Sequence, residues 1–161
     1  MLERQPMREI DLRVAFFTRD FGKLTAKVRS GRSITSKLAP HLELLNFVRL
    51  RLVEKNGFIV ADALRHGQFS RGRVSVLAAV AALAPDGDPD PELWSLLEKG
   101  EATVPSVLAA LGFDPAFASC ASCGVLRPAK FSVVDLEYRC TACAARYPDD
   151  SDHLDVRLPV S

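Results

Sequence analysis

Cys120-Ala-Ser-Cys123 is followed, after sixteen residues that begin with Gly124, by Cys140-Thr-Ala-Cys143. These are all the cysteines in the 161 residues. Two residues between paired cysteines let both sulfurs reach one metal ion from a tight turn, and the repeat supplies four thiolates. Gly124 relieves crowding after the first pair, and a small hairpin from Phe131–Val134 and Glu137–Arg139 can bring the second pair back to it. A closed set of four thiolates leaves no open coordination position. The expectation is one structural zinc ion on Cys120, Cys123, Cys140 and Cys143, with reduced or disulfide-paired cysteines as the alternative. The start, MLERQPMREIDL, has no apolar signal core, so a disulfide framework of an exported protein is not expected.

The other constraining stretch is Leu12 to Leu38. Leu12, Val14 and Phe16 alternate with Arg13, Ala15 and Phe17; after a turn at Gly22, Leu24, Ala26 and Val28 alternate with Lys23, Lys27 and Arg29. Strand side chains point to opposite faces in turn, so this hairpin has one apolar face and one basic face. Arg32 and Lys37 extend the positive charge through the following loop. Net charge is +1 overall, but residues 1–73 hold 15 Lys+Arg against 7 Asp+Glu, while residues 74–161 hold 6 against 13. A +8 half joined to a −7 half points to a polyanionic partner for the first, or else to two solvated surfaces.

A third strand is expected from about Leu42 to Val53, with Val48, Leu50 and Leu52 on one side and Phe47, Arg49 and Arg51 on the other. Asn56-Gly57 marks a hairpin turn into a fourth strand, Phe58–Leu64. Short antiparallel strands around a long third one fit a small OB-fold-like barrel or a fragment of a β-sandwich. At Ser70 the period changes. Val74, Leu77, Ala78, Ala81 and Leu83 recur at helical spacing until Pro85. Asp90 can cap a second helix that Gly100 ends, with Trp94 on its apolar side, and Thr103 a third that Gly112 ends. Asp149–Ser161 reads as a solvated tail, with His153 at the surface. The overall expectation is an α+β chain: residues 1–68 an OB-fold-like β-barrel, residues 69–161 a short helical domain with a four-cysteine zinc motif at 120–143. No apolar run reaches 18 residues, so no membrane span is expected.

Barrel, helices and cysteines in this order resemble the bacterial RecO family of recombination and repair proteins. REIDLRVAFFTRDFGKLTAKVRSG is similar to the family's first hairpin. Gly31-Arg32 with Ser36-Lys37-Leu38 and His41-Leu42-Glu43 is similar to the loop after it. Leu108-Ala-Ala-Leu111-Gly112-Phe113 ahead of Cys120 is similar to the approach to its zinc motif. The helical segment is shorter here than is usual in the family, and family members usually begin with several more residues, so that the first strand is expected either to be cut short at Met1 or to start elsewhere. The resemblance implies a non-enzymatic, cytoplasmic, nucleoid-associated mediator of DNA repair and homologous recombination. Such a protein binds single- and double-stranded DNA, anneals complementary strands and helps load recombinase with a RecR-like protein. Single-stranded-DNA-binding protein is a further implied partner.

The basic residues agree with that implication. Lys23, Lys27, Arg29, Arg32, Lys37, Arg49 and Arg51 can each neutralise a phosphate, and Phe47 or Phe21 can stack on a base or pack internally. Two rivals share the architecture: a protein-interaction adaptor with weak DNA binding, and an RNA-binding OB and zinc-ribbon protein. An enzyme is not expected. Asp86, Asp88 and Asp90 sit in a Pro/Gly turn, and no acidic cluster lies in a basic setting.

Overall fold

The computed structural model describes residues 1–7, 9–147 and 153–157. The chain forms two compact units, Met1–Trp94 and Ser95–Ser161. Among the described residues no helix is long and apolar enough to cross a membrane.

The first unit is a five-stranded sheet: β1 (Glu3–Met7), β2 (Asp11–Thr18), β3 (Gly22–Val28), β4 (Asn46–Glu54) and β5 (Phe58–Gln68). The strand order is β1-β2-β3-β5-β4, with β3 and β5 parallel and the other neighbours antiparallel. That crossover makes the sheet an OB-like, partly open barrel. Leu12, Val14, Phe16, Leu24, Ala26 and Val28 bury the inward face with Val60 and Ala63; Val48, Leu50 and Leu52 pack against them. Asn56 and Gly57 both take positive φ, as the tight turn of the β4–β5 hairpin requires.

Three strand boundaries differ from the sequence expectation. β1 was not expected; its polar residues and Pro6 hide a strand that pairs with β2 from Glu3↔Ala15 to Met7↔Asp11. β4 begins at Asn46, not Leu42. Residues 38–42 coil into a turn, with Leu42 N donating to Leu38 O, and fully buried Leu42 caps the core. Leu45, at φ 71, then redirects the chain. β5 runs on to Gln68 because irregularities in the β4–β5 register absorb the extra residues Ala61 and His66 and restore the in–out phase.

α1 (Val74–Leu83) buries Val76, Leu77, Ala79 and Val80, whereas Val74 and Ala78 are exposed. The burial stripe is thus rotated from the one the spacing suggested, since the helix is apolar almost all round. The unit boundary falls inside α2 (Pro91–Glu98), later than the end of the strand period. The reason is that α1 and the following turn fold back on β3. Lys23 Nζ donates to Ala81 O at 3.0 Å, Gly87 N donates to Lys23 O at 2.8 Å, and Phe17 stacks on Trp94 at 6.5 Å. Asp90 caps α2 through its Oδ1, which accepts from Leu93 N at 2.9 Å.

The second unit holds α3 (Val104–Ala110), the short strands β6 (Lys130–Ser132), β7 (Glu137–Arg139) and β8 (His153–Asp155), and α4 (Thr141–Ala144). The sheet order is β7-β6-β8, all antiparallel. β8 lies in the expected solvated tail: Leu154 and Val156 are buried, and His153 is half-buried opposite Ser132. The rest of that tail, residues 149–152 and 158–161, lies outside the described residues. Phe131 is fully buried between Phe113 (5.2 Å) and Tyr138 (4.8 Å). Thr103 and Ser106 form a reciprocal capping box at the start of α3. Thr103→Ala is expected to cost about 1 kcal/mol, read as a shift in the urea midpoint without a change in slope.

Candidate metal centre and nucleic-acid interface

The cysteines come together as the spacing requires. All four Sγ atoms lie within 4.8 Å of one another, and none is in a disulfide. The first pair sits on a turn closed by Cys120 N to Val125 O (2.9 Å) and Gly124 N to Cys120 O (2.8 Å), with Gly124 at φ +72. The second pair is built differently. Cys140 caps α4, its Sγ accepting from Cys143 N at 3.4 Å, so the Ala144-Ala145 that follows serves helix formation where a glycine turn might stand. β7 joins the two turns, since Ala121 N donates to Tyr138 O at 2.8 Å.

The donor set fits one tetrahedral ion. Bonds of about 2.3 Å to zinc put thiolates roughly 3.8 Å apart, and Cys123 Sγ and Cys140 Sγ are 3.8 Å apart. By themselves the thiols shift in opposite directions: the backbone N–H of Cys140 is the main cause that draws Cys120 down to about 6, while hydrogen bonding to the Cys140 and Cys123 sulfurs pushes Cys143 up to about 12. Four thiolates this close repel one another unless a cation lies among them. Cys120 and Cys143 are buried; Cys123 is exposed.

The seven basic candidates divide by environment. Lys23 and Lys27 are half-buried. Lys23 lies 3.6 Å from Asp86, besides its bond to α1. Lys27 pairs with Asp11 at 3.1 Å, and the Asp11 carboxylate also accepts from Ser30 N at 2.9 Å. Both lysines therefore anchor the chain: Lys23 holds the turn after α1, and Lys27 orients the carboxylate that pins the loop after β3. Arg29, Arg32 and Lys37 are exposed in that loop, and Arg49 and Arg51 are exposed on the outward face of β4. Cross-strand register puts Leu64 beside Arg49 and Asp62 beside Arg51. Phe47 stacks on Phe69 at 4.3 Å, so it packs internally, whereas Phe21 is exposed at the β2–β3 turn. Arg65 and His66 are also exposed on β5, beyond Leu64, where the sequence pattern ends the strand.

Residues 1–60 match the family model described as recombination protein O N terminal. A curated relative, the DNA repair protein RecO of Rhodopseudomonas palustris (strain BisB18), is 34% identical over 140 residues, which take in 70% of this chain and 53% of the relative. The chain thus spans about half the length of that relative. The matched N-terminal segment, the OB-like sheet that contains it and the sequence similarity to a curated RecO agree: this chain is similar to the RecO family, and its first 60 residues match that family's N-terminal model.

Proposed function

We propose that the chain is a non-enzymatic mediator of DNA repair and homologous recombination. It binds single- and double-stranded DNA through its OB-like unit, promotes annealing, and works with a RecR-like partner to load recombinase. Its four cysteines hold one structural zinc ion. The observation that carries this reading is an OB-like sheet, in a chain similar to the RecO family, with Arg49 and Arg51 exposed on one outward strand face and Arg29, Arg32 and Lys37 exposed in the loop after β3. Contacts of this kind neutralise phosphates without reading sequence, which suits annealing. The zinc ion, held by thiolates alone, supplies architecture and no chemistry.

The test is fluorescence anisotropy of a labelled single-stranded oligonucleotide across a salt series. Five phosphate contacts predict a log–log slope of about −3.5, and Arg49→Ala/Arg51→Ala is expected to flatten it to about −2. Lys23→Ala leaves the slope nearly unchanged, because that lysine is engaged within the protein. A wild-type slope near zero would remove the DNA interface and favour the adaptor role.

A further inference from the structure

The loop after β3 presents an isoleucine where a loop tip is ordinarily polar. Ile34 is exposed at 105% of its reference area. It does not project from a loose segment. It occupies the middle of a turn closed by Ser36 N donating to Ser33 O (3.0 Å), with Ser33 Oγ and Thr35 Oγ1 2.9 Å apart across it. The base of the loop is tied down as well. Arg32 N donates to Ile10 O at 2.8 Å, Arg32 Nη1 donates to Glu9 O at 3.0 Å, and Ser30 N donates to Asp11. Gly31 presses on the core: a Cβ there would lie 2.8 Å from Leu12 Cδ1. The turn thus holds a β-branched apolar side chain in water, and the favourable free energy of burying it is realised only against a partner.

The flanking charge identifies that partner. Arg29 and Arg32 precede Ile34 and Lys37 follows it, all exposed. An apolar tip between cations matches a nucleic-acid strand, whose phosphates meet the cations while the tip enters between bases. We infer that Ile34 is a wedge: it inserts between adjacent bases of a bound single strand and unstacks them, leaving their edges open to pairing. This rests on the DNA-binding reading above and adds a specific contact to it. The chemistry is sequence-tolerant, because every base step offers apolar faces.

The probe is a single-stranded oligonucleotide carrying 2-aminopurine, which brightens when unstacked and is not quenched by an aliphatic side chain. The wild-type chain is expected to raise its fluorescence on binding. Ile34→Ser is expected to abolish the rise and weaken binding about tenfold, with the salt slope unchanged because no charge is altered. Ile34→Leu, still apolar and of equal size, is expected to keep the rise. A rise that persists in Ile34→Ser, or is lost equally in Ile34→Leu, overturns the wedge while salt-dependent binding stands. A wild type that shows no salt-dependent binding overturns both the wedge and the DNA interface.

Discussion

Cys143→Ser, or removal of metal from the wild type by a chelator, is expected to unfold the second unit. The wild type should carry one metal ion per chain by elemental analysis, and the variant none. Apparent binding free energies for structural zinc are about 10–16 kcal/mol in small domains at neutral pH. Whole-domain stabilities are only about 5–15 kcal/mol. The elements here are short: three strands of three residues and helices of seven and four. Cys120 and Cys143 are buried, so an ion lost from among them leaves two thiols in the core and two turns with nothing to close them. Limited proteolysis should then cut within residues 118–147. A variant that keeps the wild-type digestion pattern and melting curve while lacking metal would show that the aromatic packing around Phe131 suffices without it.

The cysteine cluster was legible in full because its spacing is a covalent constraint, independent of what surrounds it. The inward face of the barrel was legible for a similar reason: in β3 the alternation matches the burial residue for residue, and in β2 Leu12, Val14 and Phe16 are buried as expected, with Ala15 buried as well on the other face, where it pairs with β1. The basic face was less legible. Alternation puts Lys23 and Lys27 on one side of β3, with Arg29 expected there too but found in the loop beyond the strand's end at Val28, and it does not say what lies against that side. Asp86 is 63 residues from Lys23 in sequence, and only the fold of α1 back onto the sheet brings it near. Asp11 reaches Lys27 because β1, β2 and the loop after β3 converge there, and β1 itself has no pattern that announces it. The same limit applies to Ile34. Its exposure follows from a hydrogen-bonded turn, which composition alone does not disclose.

Gly22→Ala is expected to destabilise the first unit by roughly 2–4 kcal/mol, combining left-handed strain with overpacking. Gly22 has φ +61, and a Cβ there would lie 2.0 Å from Asp88 O and 2.3 Å from Asp88 C. Those are backbone atoms, so no side-chain rotation relieves the clash. The turn after α1 has to move, and it carries the bond from Gly87 N to Lys23 O and the ion pair of Asp86 with Lys23. Gly57→Ala is the internal control. Its φ is +100 but nothing lies within 4 Å of the new Cβ, so only the conformational penalty, about 1 kcal/mol, applies. Urea denaturation of both variants separates close approach from φ alone. Equal losses would mean that the turn yields freely and that Lys23 is not held by it. A larger loss in Gly22→Ala identifies the start of β3 as a clamp between sheet and helix. Lys23→Ala should then lower the urea midpoint while leaving the salt dependence of DNA binding in place, which assigns phosphate contact to the exposed arginines and Lys37 and the half-buried lysine to the fold.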